Sequence, residues 1–104
     1  MTWKSIMPRK NPETKFKEKV YKDLETLKNT WYYKTQEVSR RGILDLILCV
    51  NGAFVSLELK VDSKLSELQK RNIFKINKAN GFATHADPNN WKEIFQKLKQ
   101  MEGI

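Results

Sequence analysis

The 104-residue sequence predicts a mixed α/β domain whose elements follow the order α-β-β-β-α-β-α. Three observations predict this order. Apolar residues at helical spacing occur near both ends of the chain, β-prone segments lie between them, and helix-capping sequences separate several of the elements. With 39% hydrophobic residues and few Gly and Pro, the chain can bury a core, which excludes a disordered or fibrous protein. We expect a short arm at residues 1–10 and a single domain over residues 11–104.

The first predicted helix begins at Asn11, because Asn is a favoured N-cap and Pro12 then takes the first helical position. Its apolar stripe consists of Phe16, Val20, Leu24 and Leu27. Its outer face carries Lys15, Lys19 and Lys22. This pattern predicts an amphipathic helix with a basic solvent face.

Three strands are predicted next, and each has a different composition. Trp31–Val38 is aromatic and β-branched, whereas Ile43–Val50 is almost wholly apolar, which predicts a central strand covered on both faces. Ala53–Val61 alternates between apolar and polar residues, as does a strand with one buried face. The Asn51-Gly52 pair between the last two strands predicts a two-residue hairpin, since both loop positions need a positive φ.

The second half of the chain predicts two helices around a strand. Ser66 and Gln69 have the spacing of a capping box that opens a helix, and Asn80-Gly81 is a typical end for it. Phe82–Ala86 is the fourth predicted strand. Asn90 is the predicted cap of the last helix, whose apolar stripe is Trp91, Ile94, Phe95, Leu98 and Met101.

The charge of the chain favours an anionic partner. It holds 20 Lys and Arg against 12 Asp and Glu, a net charge of +8, and residues 1–41 contain 11 of the basic residues and only 5 of the acidic ones. Such a surplus favours nucleic acid, although a merely soluble, Lys-rich surface explains the charge equally well. No apolar run approaches the roughly 20 residues that cross a bilayer, so we expect neither a signal peptide nor contact with a membrane.

Cysteine and histidine contribute little to the predicted chemistry. The lone Cys49 lies in an apolar run, so we expect it in the core and exclude an intramolecular disulfide or a Cys-based zinc site. This favours a reducing, cytoplasmic compartment. His85 has no second His or Cys at ligand spacing, and we expect an ordinary strand or surface histidine.

The hairpin register predicts a pair of opposed carboxylates. If Asn51 and Gly52 form the loop, Asp45 faces Glu58 across two antiparallel strands, and Lys60 shares their face. Two carboxylates at this range repel each other unless a cation lies between them, and oxygen ligands of this kind suit Mg²⁺ or Mn²⁺. Lys60 is then placed to orient or deprotonate an attacking water. The alternative is a solvated strand face, but Asp45 lies in the most apolar stretch of the chain, where an unpaired carboxylate is costly.

Further polar residues lie near this pair in the predicted fold. Glu13 is on the helix stripe that faces the sheet, either as a third acid of the site or as a favourable charge at the helix N-terminus. Gln69 is a candidate both for the site and for the capping box. The candidate phosphate-binding residues are Ser39, Arg40 and Arg41, which precede the strand that carries Asp45, together with Lys10 and Lys17. The alternative for the arginines is a solvated loop.

The consecutive aromatics Trp31, Tyr32 and Tyr33 are open to two interpretations. They are the right residue types to stack on nucleic-acid bases, but three aromatics in a strand more often pack on its two faces. We expect packing.

Taken together, these residues resemble a known family. The matching positions are Glu13, then Gly42-Ile43-Leu44-Asp45, then Glu58-Leu59-Lys60, then Ser66 with Gln69. They resemble the PD-(D/E)xK nuclease superfamily, and most of all its small stand-alone VRR-type (VRR-NUC) members from phages and prophages, which are similar to Holliday junction resolvases. The resemblance runs from about Asn11 to Phe95, with Leu44 where the family usually has proline.

The resemblance implies a restriction-endonuclease-like fold and a Mg²⁺-dependent phosphodiesterase. It implies that Asp45 and Glu58 bind the metal, that Lys60 supports the attacking water and that Glu13 and Gln69 complete the site. It also implies a homodimer that acts on DNA, branched or duplex. Two other classes of function stay open. One is a non-catalytic nucleic-acid-binding module, and the other is a partner-binding phage protein with an exposed Phe74 and an apolar arm of Trp3, Ile6 and Met7.

Overall fold

The computed structural model describes residues 11–36 and 41–103. It contains helix α1 (Pro12–Leu24), strands β1 (Thr30–Lys34), β2 (Leu46–Val50) and β3 (Ala53–Leu59), helix α2 (Glu67–Lys78), strand β4 (Phe82–Ala86) and helix α3 (Trp91–Met101). The predicted order of elements is confirmed. The arm at residues 1–10, and with it Lys10, Ser39 and Arg40, lies outside the described residues.

The four strands form one mixed sheet in the order β1-β2-β3-β4. β2 pairs antiparallel with both β1 and β3, whereas β3 and β4 run parallel. Helix α2 makes the crossover between the two parallel strands, as such a connection requires. The protein is therefore an α+β domain in which β1 and β4 are the sheet edges.

The main core lies between one face of the sheet and two helices. Leu46, Leu48 and Val50 of β2 alternate with more exposed residues, and their partners on β3 are buried on the same face except Ala53. Helices α1 and α3 cover this face. The members of their predicted stripes that are buried are Phe16, Val20, Leu24, Trp91, Ile94 and Leu98, whereas Phe95 and Met101 are partly buried and Leu27 lies beyond the end of α1. Helix α2 contributes no buried residue to this core.

The hairpin and most of the helix caps form as predicted. Asn51 and Gly52 both have a positive φ, and Val50 pairs with Ala53, so the predicted register is confirmed. Asn11 accepts a hydrogen bond from the Thr14 amide at 2.7 Å. At α3, however, Asn90 caps no helical amide; its Oδ1 accepts from the Asp87 amide and fixes the preceding turn instead.

Several sequence-based expectations for the strands are wrong. β1 ends at Lys34 and β2 begins only at Leu46, so both strands are shorter than predicted. β2 is covered on one face only, because Ile47 is half-buried and Cys49 is exposed. Cys49 is therefore not in the core. The apolar run could not reveal this, because coverage of the second face depends on where α2 packs.

Candidate active site

The predicted carboxylate pair lies where β2 begins and β3 ends. The ladder of paired strands stops at Leu46 and Leu57, and Asp45 occupies a bend directly before β2. The Glu58 Oε1 atom accepts a hydrogen bond from the Asp45 amide at 3.1 Å, and the Asp45 Oδ2 atom accepts one from the Leu59 amide at 2.9 Å. Each acid therefore holds the backbone beside the other.

Lys60 completes this group, which we call the acid-lysine trio (Asp45, Glu58 and Lys60). The Lys60 Nζ atom lies 3.4 Å from Glu58 Oε2. Glu58 is only 4% exposed, and burial, followed by the nearby Asp45 charge, raises the pKa of its carboxyl despite the opposing effect of Lys60. Lys60 thus compensates the negative charge of the buried Glu58 carboxylate only in part. An additional cation would lower the remaining energetic cost of this charge.

Gly42 and α2 hold the start of β2 in place. Gly42 has φ +81°, and a Cβ atom on it would lie 2.7 Å from Leu68 Cβ, so both its backbone and its contact with the helix require glycine. The Asn72 side chain donates a hydrogen bond to the Gly42 carbonyl at 2.7 Å. On the β1 side, the hydroxyl of the buried Thr35 donates to the Leu44 carbonyl at 2.8 Å. The bend at Asp45 is fixed from both sides.

The side chains of Glu13 and Gln69, the other two candidates for the site, have no contact with the acid-lysine trio among the hydrogen bonds and ion pairs of the described residues. Glu13 is exposed in the first turn of α1 and lines a surface hollow with Val61, Asp62 and Ser63, the segment directly after Lys60. Gln69 Oε1 accepts a hydrogen bond from the Ser66 amide at 2.9 Å, so its side chain forms the capping box. Both residues have the structural roles that the sequence analysis left open beside a role in the site.

Sequence reasoning missed two residues close to the trio. The Tyr21 side chain is half-buried, and burial together with the Asp45 charge raises the pKa of its hydroxyl. The Lys34 Nζ atom lies 3.9 Å from the centroid of the Tyr21 ring. Tyr21 follows Glu13 and Lys17 at four-residue intervals on α1, a spacing that could have pointed to it. No local signal could place Lys34, because its position depends on the pairing of β1 with β2.

The basic residues around the site differ in accessibility. Arg41 is exposed in the turn before β2, and Lys17 is half-buried on α1. Lys60 also lines a hollow with Lys64 and His85 on the β4 side, and His85 is exposed, as expected of a surface histidine. Positive charge therefore lies on several sides of the trio.

The donor chemistry fits a divalent cation held by two carboxylates. Among residues 11–36 and 41–103, no three His, Cys, Asp or Glu side chains are placed to share a metal ion. Mg²⁺ needs no such group, since one or two carboxylates with water and substrate phosphate complete its shell. Asp45 and Glu58 are the residues that would hold it.

A groove of about 620 Å³ between α1 and α3 offers no comparable chemistry. Its lining is mainly apolar and includes Phe16, Trp91 and Phe95. Asp23 is its one carboxylate among the described residues, and this side chain accepts hydrogen bonds from Trp91 Nε1 at 2.8 Å and from Lys19. The acid-lysine trio is the better candidate site.

Comparisons with models of protein families, with curated proteins and with solved structures find no match to this chain. None of the helices in residues 11–36 and 41–103 has the length and apolar composition of a membrane-spanning segment.

Proposed function

We propose that this protein is a metal-dependent endonuclease that hydrolyses phosphodiester bonds in DNA. The observation that carries the proposal is the acid-lysine trio, in which the buried Glu58 lies beside a second carboxylate and is compensated in part by Lys60 and the Asp45 amide. Perturbed titratable groups of this kind gather at functional sites more often than at purely structural ones. The order of elements agrees with the restriction-endonuclease-like fold that the resemblance implies.

Each residue of the trio has a role in the proposed reaction. Asp45 and Glu58 would hold Mg²⁺ or Mn²⁺, which when bound supplies stabilisation for the charge that develops on the phosphate. Lys60 orients the attacking water from its position beside Glu58. Arg41 holds a neighbouring phosphate of the DNA backbone, which fixes the substrate without reading its sequence. The resemblance also assigns Glu13 and Gln69 to the site, but Glu13 is exposed and the capping box holds the Gln69 side chain, so this proposal gives neither a direct role in the reaction.

The proposed substrate is branched DNA, and the proposed active form is a homodimer. Both follow from the resemblance to Holliday junction resolvases. A domain of this size has room for one such trio, so paired cuts on two strands need a second subunit. Sedimentation of the purified protein at micromolar concentration tests this part, and we expect a dimer.

Cleavage of defined DNA substrates tests the proposed activity. The purified protein is incubated with four-way junction, duplex and single-stranded DNA in the presence of Mg²⁺, Mn²⁺ or EDTA. We expect cleavage with either metal and none with EDTA, with the junction cut in preference to duplex at sites related by two-fold symmetry. Asp45→Asn should abolish cleavage, whereas Asp62→Asn, which changes an exposed acid just beyond Lys60, should not.

A specific result would favour the alternative, a non-catalytic module that binds nucleic acid. The hydrogen bonds of Asp45 and Glu58 to backbone amides are also what structural acids make, so the trio can hold a bend without doing chemistry. DNA binding without cleavage under any of the metal conditions would support that alternative and contradict the nuclease proposal.

A further inference from the structure

One face of the sheet exposes a group of large apolar side chains, which we call the aromatic face (Trp31, Tyr33, Cys49 and Phe54). Trp31, Tyr33 and Phe54 are 60%, 53% and 45% exposed, and Cys49 is exposed as well. The register makes them neighbours, since Cys49 pairs with Trp31 on one side and with Phe54 on the other. The expected packing of the aromatics is thus confirmed for the half-buried Tyr32 and wrong for Trp31 and Tyr33.

The size of this face indicates a binding surface. The three rings together expose roughly 300 Å² of mainly apolar surface, which is in the range where patches on single proteins are often functional. The Trp31 and Tyr33 rings are parallel to within 10°, with centroids 6.2 Å apart. Both rings lie on the edge strand β1 and are more than half exposed.

The charges beside the aromatic face distinguish between partners. Of the other sheet residues on this side, Ile47 is half-buried and uncharged, whereas the buried Glu58 lies four residues beyond Phe54, at the far end of β3 and beside Lys60. The flank of α2 that contacts Gly42 through Leu68 and Asn72 carries the exposed Arg71 and Lys75, and Arg41 is exposed next to Gly42. A basic border along one side of flat apolar groups complements a partner that combines anionic groups with flat rings, whereas a second copy of this chain would oppose its own basic border.

We propose that the aromatic face binds unpaired nucleobases of a nucleic acid by stacking on Trp31 and Tyr33. Arg41, Arg71 and Lys75 contact the phosphates of the same strand. Proteins that bind single strands use this combination of a basic surface and exposed rings, and stacking tolerates any base because every base has a flat face.

The aromatic face lies near the acid-lysine trio, but base stacking on it does not require the trio to be active. Tyr33 pairs with Ile47, and Asp45 lies two residues before Ile47 on the same chain segment. A strand that stacks on Tyr33 therefore passes close to the carboxylates. The stacking itself requires neither metal nor hydrolysis, so it can be measured when no cleavage is possible.

Binding of a single strand in EDTA tests this inference. A labelled oligothymidine of roughly 12 nucleotides is titrated with protein and followed by fluorescence anisotropy, beside a duplex of the same length. We expect Trp31→Ala and Tyr33→Ala each to weaken single-strand binding by roughly 5- to 100-fold and to leave duplex binding unchanged. Trp31→Phe, which keeps a ring, should retain most of the affinity.

Phe74→Ala is the matched control. Phe74 is 66% exposed, so its replacement removes an equally accessible aromatic ring, but it is not on the aromatic face and its loss should not change single-strand affinity. Thermal melts establish that the variants are folded. Equal losses in Phe74→Ala and Trp31→Ala would overturn the inference, as would wild-type affinity in both Trp31→Ala and Tyr33→Ala.

Sedimentation of the same variants examines the other occupant, a second copy of this chain. If the wild-type protein is a dimer and Trp31→Ala converts it to a monomer, the aromatic face is an interface between subunits and the base-stacking inference is wrong. An unchanged oligomeric state in Trp31→Ala, together with weaker single-strand binding, supports it.

Discussion

At the scale of single residues, Glu58 shows how a side chain of the proposed metal site can weaken the fold. Its carboxylate is almost wholly buried, and Lys60 and the Asp45 amide stabilise its charge. Burial and the Asp45 charge raise the pKa of Glu58, so the folded state binds a proton more tightly than the unfolded chain does. The associated stability is present at low pH and is lost as the pH rises through the raised pKa.

Glu58→Gln should therefore melt higher than the wild type near neutral pH without metal, by on the order of 5 °C, and the difference should shrink toward about pH 4. Thermal melts between about pH 4 and pH 8 measure this. Mg²⁺ should then raise the melting temperature of the wild type and not of the variant. Cleavage should fall by more than roughly 100-fold. Mutation of a residue that only hydrogen-bonds to a metal ligand already lowers metal affinity or activity by about 10- to 100-fold, and Glu58 is proposed as a ligand itself. A variant that cuts DNA at the wild-type rate would remove Glu58 from the site.

At the scale of elements, a buried acid joins the end of α3 to the beginning of β1. Glu102, the C-cap of α3, accepts hydrogen bonds from the Asn29 amide at 2.6 Å, from the Thr30 hydroxyl at 2.8 Å and from the Lys28 amide at 3.2 Å. Burial alone would raise the pKa of Glu102, but these hydrogen bonds outweigh it and lower the pKa. The carboxylate thus connects two elements that lie far apart in the sequence.

Glu102→Gln should lower the melting temperature at neutral pH, because an amide cannot accept the same three hydrogen bonds. A lowered pKa in the folded state means that the stability is present above the ordinary value of 4.5 and is lost as the pH falls through the lowered pKa. The melting temperatures of the wild type and of Glu102→Gln should therefore become equal at acid pH. Glu93→Gln, at an exposed position in the first turn of α3, is the control and should change little. A difference in melting temperature between the wild type and Glu102→Gln that stays constant down to acid pH would contradict this role of the Glu102 carboxylate.

The same scale explains which features the sequence could predict. Caps and turns depend on neighbouring residues, so Asn11, the capping box of Ser66 with Gln69 and the Asn51-Gly52 turn are visible in the sequence. The Asn51-Gly52 turn also fixes the strand register that brings Asp45 close to Glu58. Exposure of Cys49 and Trp31 depends on where α2 packs. The role of Glu102 depends on contacts across some 70 residues, which no local pattern encodes.

At the scale of the whole molecule, positive charge is spread over several surfaces. Helix α1 exposes Lys15, Lys19 and Lys22, while α2 exposes basic residues on the other side of the sheet. Several acids are already held by neighbouring side chains: Glu58 by Lys60, Glu102 by Thr30 and Asp23 by Trp91. A net charge of +8 attracts any polyanion at long range, so weak DNA binding alone would not identify a binding surface.

The salt dependence of DNA binding separates a direct phosphate contact from this general attraction. Each phosphate contact releases counterions, so Arg41→Ala should flatten the slope of log affinity against log salt by about 1 and weaken binding to all duplex sequences alike. Lys92→Ala removes the same charge from an exposed position on α3 and should leave the slope unchanged, because it lines the groove between α1 and α3 rather than the surroundings of the trio. Titrations of one labelled duplex at several salt concentrations measure both. Equal slopes for Arg41→Ala and the wild type would make Arg41 a solvated turn residue, and equal flattening in both variants would mean that net charge alone governs binding.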